Sequence, residues 1–213
     1  MTRPVHRSFP LTDSSHTGEV RRAVNVLATE AGLNSEKIGK AEIILNELAS
    51  NLLKHTEKGG EILINSLSAE QLNGIEIIAL DKGRGMSDIP RMLQDGVSTT
   101  GTLGGGLGAI KRISDEFDIN SSPERGTAVL SRLWHQWTPL ALRNRIVEFG
   151  GIAVAMPGED ACGDRWAVRQ HDAGVTILVV DGLGHGPKAA LAAEETLRVF
   201  ETSSAVDPSA LIH

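Results

Sequence analysis

The apolar positions fall into two periods. Val20, Ala23, Val24, Leu27 and Ala28 recur at helical spacing, which predicts a helix over Gly18–Ala31 closed by Gly32. Ile38, Ala41, Ile44, Leu45, Leu48 and Leu52 form a second helical stripe, with Ser35 as its expected N-cap and Gly59-Gly60 as its end. Val5–Leu11 is a short strand candidate. Glu61–Leu67 and Ile75–Leu80 are apolar runs separated by the polar Ser68–Gly74, which predicts a hairpin. A helix near Leu107–Asp115 and strands at Phe117–Asn120 and Thr127–Leu133 follow, the strands joined by a Pro123–Gly126 turn. Helices on one face of a mainly antiparallel sheet make an α+β layer design.

Trp134–Leu142 lacks a clear period and reads as a boundary. Beyond it, Arg145–Met156, Arg165–Gln170 and Val175–Val180 are strand candidates, and Pro187–Thr202 is a helix with proline at its first position. Ser203–Pro208 breaks that helix, and another is expected to open at Ser209. A domain whose helix opens at the last residues is expected to be cut short. The two domains expected are therefore residues 1–135 and 143–213.

Composition changes this picture in one respect. Glycine is 23 of 213 residues, above the usual ~7%. Eight glycines fall between Gly83 and Gly108 and eight between Gly150 and Gly186, which points to two sites. The net charge of −6 gives no basic footprint for nucleic acid. No apolar run approaches the ~20 residues that span a bilayer, and the first residues lack the apolar core of a secretory signal. The single cysteine, Cys162, excludes an internal disulfide and fits a reducing cytoplasm.

Three elements of the first half carry chemistry. Glu47 and Asn51 stand four apart, on one face of the second helix. A carboxamide oxygen is a hard metal ligand, and the neighbouring carboxylate can take a proton from a hydroxyl. Asp81-Lys82-Gly83-Arg84-Gly85 follows a strand, so a carboxylate at the strand's end can accept from an exocyclic amine beside bare backbone. Ser98–Gly108 is a hydroxyl- and glycine-rich loop ending at a helix N-terminus, the arrangement of a phosphate cradle. Each alone also reads as a polar helix face, a common turn or a surface loop. His55, beside the first element, reads as a surface or capping histidine that can also shape the pocket.

In this order the three elements resemble the N, G1 and G2 boxes of the GHKL (Bergerat-fold) ATPases, with Gly126-Thr127 as the closing motif. The resemblance spans roughly residues 5–133. It is closest to the RsbT-type serine kinases of sigma-factor partner switching, through Glu47–His55 and Leu93–Thr100. It implies ATP and Mg²⁺ as cofactors, Asn51 on Mg²⁺, Asp81 on adenine with Thr127 nearby, and Glu47 as general base. Gly83, Gly85, Gly104, Gly105, Gly106, Leu107 and Gly108 would form the nucleotide pocket and lid. The implied partner is a STAS-type anti-anti-sigma protein or a sigma factor, with a homodimer allowed. Alternatives are an anti-sigma factor that holds ATP without turnover, and a phosphatase with a nucleotide-sensing module.

In the second half, Cys162-Gly163-Asp164 and Asp181-Gly182-Leu183-Gly184-His185-Gly186 place aspartates at strand ends. Two carboxylates and a glycine carbonyl are oxygen ligands for Mn²⁺ or Mg²⁺. This half resembles the opening part of the SpoIIE/RsbX-like PPM-type metal phosphatases. Asp164, Asp181 and Gly182 would then be metal ligands, and the fold a partial α/β/β/α domain. The family's later metal aspartates have no counterpart in the chain. Cys162 reads as a small apolar filler and His185 as a loop histidine.

Overall fold

The computed structural model describes residues 5–69, 72–94, 106–136, 147, 149–171, 174–205 and 207–211. The chain divides into two compact units, one of Ser8–Ser66 and Leu72–Trp137, the other of Met1–Arg7, Leu67–Gln71 and Thr138–His213. The described elements run β1 (Arg7–Leu11), α1 (Thr17–Glu30), α2 (Ser35–His55), β2 (Gly60–Ala69), β3 (Leu72–Asp81), α3 (Ile89–Met92), α4 (Gly106–Ile113), β4 (Glu116–Ser122), β5 (Gly126–Trp134), β6 (Arg165–His171), β7 (Gly174–Val180) and α5 (Pro187–Thr202).

In the larger unit, five strands form one sheet in the order β1-β2-β3-β5-β4, and β5 runs antiparallel to both β3 and β4. The central strand β3 buries Ile75, Ile77 and Ala79 with the helices' core, and buries Glu76 and Ile78 as well. A strand buried at successive positions reads as a nearly continuous apolar run, as Ile75–Leu80 does apart from Glu76. The helices contribute their predicted stripes. From α1 come Val20, Ala23, Val24 and Ala28, and from α2 Ala41, Ile44, Leu45, Leu48, Ala49 and Leu52. Burying the four large residues of α2 contributes on the order of 6–12 kcal/mol of gross hydrophobic stabilisation, before chain entropy is subtracted.

The expected N-cap is displaced by one residue. Asn34, with extended backbone, accepts a hydrogen bond from Lys37 N at 2.9 Å, so Ser35 is the first helical residue of α2. Asparagine caps as well as serine, and the side chain that reaches the third amide sets the start. The far end of the sheet is pinned by charge. Lys37 Nζ reaches Asp115 Oδ2 at 2.6 Å and the Trp134 carbonyl at 2.5 Å, tying α2 to the end of β5.

The second unit is sparser. β6 and β7 pair antiparallel in a two-stranded sheet from Arg165↔Val180 to His171↔Gly174. α5 packs on it through Leu197 and Phe200, which form a small buried cluster with Ala167. The Arg169 guanidinium lies 4.5 Å from the Phe200 ring centroid and donates to the carbonyls of Phe200, Ser203 and Ala205, closing the end of α5. The predicted strand Arg145–Met156 does not form where it is described. Between residues 149 and 156, only Val154 pairs, in an isolated parallel bridge with His6. Gly151 lies flat against the Trp166 ring, where a Cβ would stand 2.3 Å from Cε2, and Phe149 meets that ring edge-on. The segment is shaped by the indole rather than by a ladder. The helix expected at Ser209 is a 3₁₀ turn, Pro208–Leu211. Among the described residues, no helix is long and apolar enough to cross a membrane.

Candidate functional site

Glu47 and Asn51 emerge half-buried from the polar side of α2, one turn apart, and both line a cavity of about 570 Å³ in the larger unit. That size suits a small-molecule or cofactor site. Asp81, Gly85, Gly106, Leu107 and Thr127 line it too, so the elements singled out in the sequence converge. Gly83 and Gly108 do not reach its lining. Gly83 instead donates its N–H to Asp81 Oδ1 at 2.7 Å, and Gly108 is buried within α4. Gly104 and Gly105 lie outside the described residues, as does most of the Ser98–Gly108 loop.

Two glycines build the wall because nothing larger fits. Gly126 has φ +87°, and a Cβ there would lie 2.0 Å from the Asp81 carbonyl oxygen. Gly85 has φ +66°, and a Cβ there would lie 2.0 Å from the Ser122 carbonyl oxygen. The first lets β5 start directly beside Asp81. The second lets the Asp81–Met86 turn fold onto the end of β4. Both conformations lie in the left-handed region that favours glycine.

At one end of the cavity, acceptor groups stand beside apolar side chains. Asp81 and Thr127 are direct partners in the β3–β5 register. With one Asp81 oxygen taken by Gly83, the carboxylate keeps acceptor capacity. Leu48, Ala79, Met86, Met92, Leu107 and Val129 supply the apolar lining. Toward α4, Glu47 Oε2 accepts the Gly106 N–H at 3.0 Å, so a carboxylate caps that helix's N-terminus. Lys54, His55, Arg84 and Arg91 add cationic or titratable groups around the opening. An oxygen donor at Asn51, cations and a helix N-terminus suit a magnesium–polyphosphate group.

Sequence reasoning missed several of these residues. Met92 and Arg91 belong to α3, a four-residue helix that Asp88 caps by accepting from Arg91 N at 3.0 Å. The signal was present as Asp88 two residues before Pro90, in a stretch where no element is predicted. Ser121 lies one residue past the predicted strand Phe117–Asn120 and was not singled out, whereas β4 runs on to Ser122. Its hydroxyl accepts from Met86 N at 2.8 Å and meets Thr127 Oγ1 at 2.9 Å, from outside the lining.

The second candidate site lies wholly in the smaller unit. Asp164 immediately precedes Arg165 and Asp181 immediately follows Val180, the terminal pair of the hairpin, so they flank the same hairpin end, and both are exposed. Gly182 and Gly163 meet there, since a Cβ on Gly182 would stand 2.7 Å from the Gly163 carbonyl oxygen. The donor set is right in kind for a hard cation but short in number. Among the described residues, no group of three or more His, Cys, Asp or Glu side chains could hold a metal. His185 pairs with Glu159 at 2.5 Å, a partner the sequence did not indicate. Cys162 is buried, with its carbonyl held by Arg165.

Comparison with known proteins bears on the larger unit. Residues 9–132 match the family described as histidine kinase-like ATPase domain. The serine/threonine-protein kinase RsbT of Bacillus subtilis (strain 168) is 36% identical over 108 residues, covering 51% of this chain and 80% of that protein. The family match takes in α1, α2, all or most of each strand of the five-stranded sheet and every residue lining the cavity, and the chain belongs to the histidine kinase-like ATPase domain family.

Proposed function

We propose that the chain is an ATP-dependent serine/threonine-protein kinase of a cytoplasmic partner-switching pathway, acting on a STAS-type antagonist protein. The similarity to RsbT supports the activity class. The observation that carries the reading is the placement of Glu47 and Asn51, one helical turn apart, in the same cavity as Asp81, Thr127 and the start of α4. Adenine would sit against Asp81 and Thr127, with the phosphates toward Gly106. Mg²⁺, held by the Asn51 amide oxygen and the phosphates, would neutralise the charge of the triphosphate. Phosphoryl transfer depends mainly on positioning and charge neutralisation, so few residues need to act chemically. The serine oxygen bonds to the γ-phosphorus as the bond to the β-phosphate bridge breaks. Glu47 accepts the serine proton.

A second reading has one observation in its favour. Glu47 Oε2 already accepts the Gly106 N–H, a role that needs no catalysis and fits an anti-sigma factor holding ATP as a structural ligand. Glu47→Gln separates the two, since a carboxamide oxygen can still accept that N–H but is no useful base. With Mg-ATP labelled at the γ-phosphate and a STAS-type antagonist, the wild type should label a serine. Glu47→Gln should bind ATP and transfer nothing. Nucleotide-dependent complex formation without label from the wild type would replace the kinase by the anti-sigma reading.

Residues 1–135 form the kinase domain in this reading. We read residues 143–213 as the opening part of a phosphatase-like domain, with Asp164, Asp181 and Gly182 as oxygen donors toward Mn²⁺. No reaction step is derived for them.

A further inference from the structure

Ser121 lies outside the cavity yet holds two groups that line it. Its Oγ has one proton and three neighbours. These are the Met86 backbone N–H at 2.8 Å, the Gly126 carbonyl oxygen at 3.1 Å and Thr127 Oγ1 at 2.9 Å. The amide can only donate and the carbonyl can only accept. Serving both places the serine proton on Gly126 O and leaves the Oγ lone pairs for Met86 N–H and for the Thr127 hydroxyl. Thr127 then directs its proton inward, to Ser121. What it offers the cavity is lone pairs alone.

This matters because of what stands beside it. Thr127 pairs with Asp81 across β3 and β5, and with Ser121 across β5 and β4. The carboxylate of Asp81 is an acceptor as well. Two acceptors side by side match an exocyclic amine, which has two protons to give. They repel a carbonyl oxygen at the same ring position. We infer that Ser121 is a positioning residue that fixes the Thr127 hydroxyl as an acceptor and so gives the cavity its preference for 6-amino over 6-oxo purine nucleotides. The inference rests on the nucleotide reading of the cavity. It adds a residue on a neighbouring strand that touches no ligand. Without the Ser121 hydroxyl, the Thr127 proton is free to turn toward the cavity and donate to a 6-oxo group.

Inosine triphosphate differs from ATP at that ring edge alone, so the affinities of both for the full chain, measured by titration calorimetry, test the inference. The wild type should prefer ATP. Ser121→Ala should lower the ATP-over-ITP ratio about tenfold, the scale of one hydrogen bond of ~1.4 kcal/mol. Ser121→Thr keeps a hydroxyl and should keep the wild-type ratio, which loosened packing alone would not explain. In a Thr127→Val background, Ser121→Ala should change the ratio no further. An unchanged ratio in Ser121→Ala overturns the inference, as does a ratio in Ser121→Thr that falls as far. Should Ser121→Ala not fold, Thr127→Val alone must lower the ratio about tenfold, and an unchanged ratio there is equally fatal. A folded wild type that binds neither nucleotide sinks the nucleotide reading itself. One that binds ATP while the variants leave the ratio unmoved sinks only the role of Ser121.

Discussion

Asp81-Lys82-Gly83-Arg84-Gly85 and Asp181-Gly182-Leu183-Gly184 use the same vocabulary, an aspartate at the end of an apolar strand followed by alternating glycines. Their surroundings differ. Asp81 ends the central strand of a five-stranded sheet, with the large helix-covered core behind it and Thr127 and Gly126 beside it. Asp181 directly follows one strand of a two-stranded sheet whose buried cluster is Ala167, Leu197 and Phe200. On that sheet Ile177 and Val179 are 61% and 76% exposed. A carboxylate becomes a recognition group when a rigid wall aims it into an enclosed space. A similar turn on a thin support leaves it solvated. The backing of a motif, more than its letters, decides what the motif can do.

The sharpest way to break this comparison is to disturb the backing of the first aspartate. Gly126→Ala should be the most damaging single change considered. Its Cβ would lie 2.0 Å from Asp81 O at a φ of +87°, and the nearest atoms it would meet are all backbone. A loss of about 3 kcal/mol or more is expected, read as a lower denaturation midpoint, together with lost ATP binding. Wild-type stability would show that β3 and β5 can slide apart, and Asp81 would no longer count as rigidly held.

Next in size is Leu48→Ala. Leu48 is 1% exposed in α2, between Glu47 and Asn51, and touches both the core and the cavity. The change should cost about 2–5 kcal/mol in chemical denaturation of the larger unit. Leu197→Ala, in the small cluster of the second unit, should cost less, because a cluster of three buried residues offers fewer contacts to lose. With two units, each needs its own probe, since one transition need not report both. Equal losses would erase the proposed difference in backing.

The legible parts of the molecule were those in which one face of one element carries the signal. The α2 stripe from Ile38 to Leu52 follows from helical spacing, and it puts Glu47 and Asn51 one turn apart on one flank of that stripe without further information. Asp81 and its glycines were legible because an aspartate after an apolar run marks a strand end. Ser121 was not, because its significance comes from the β4–β5 register, a long-range pairing that no local pattern states. Asn34 was lost to Ser35 because both residues cap helices well, and the choice depends on which side chain reaches Lys37 N. The strand expected at Arg145–Met156 does not form over its described residues for another reason. Its apolar residues are interrupted by Gly150-Gly151, and the packing of Gly151 on Trp166 was invisible before the fold brought them together.

A smaller effect should come from Asp81→Asn, which keeps the shape and removes the charge. ATP affinity should fall roughly tenfold to a hundredfold, because an amide group turned toward the base presents a donor where an acceptor is needed. The unfolding midpoint should move little, since the Gly83 N–H can still find the amide oxygen. Titration calorimetry and a denaturation curve on the same sample separate the two effects. Unaltered affinity would mean that the base does not rest on Asp81, and the contrast with Asp181 would lose its functional half.

The smallest expected effect belongs to Asp181→Asn, and it bears on the other half of the contrast. Asp181 and Asp164 are both exposed at one hairpin end. ATP affinity should be unchanged, and stability should move by no more than about 0.5 kcal/mol, as for an ordinary surface substitution. Mn²⁺ binding, followed by water proton relaxation, should be weak in the wild type and weaker still in Asp181→Asn. Two carboxylates leave most of the coordination sphere to water, so little free energy favours the protein over the hydrated ion. Tight Mn²⁺ binding by the wild type, lost in both Asp181→Asn and Asp164→Asn, would overturn the argument from backing. It would mean that the hairpin end holds its donors firmly enough without a large core behind them.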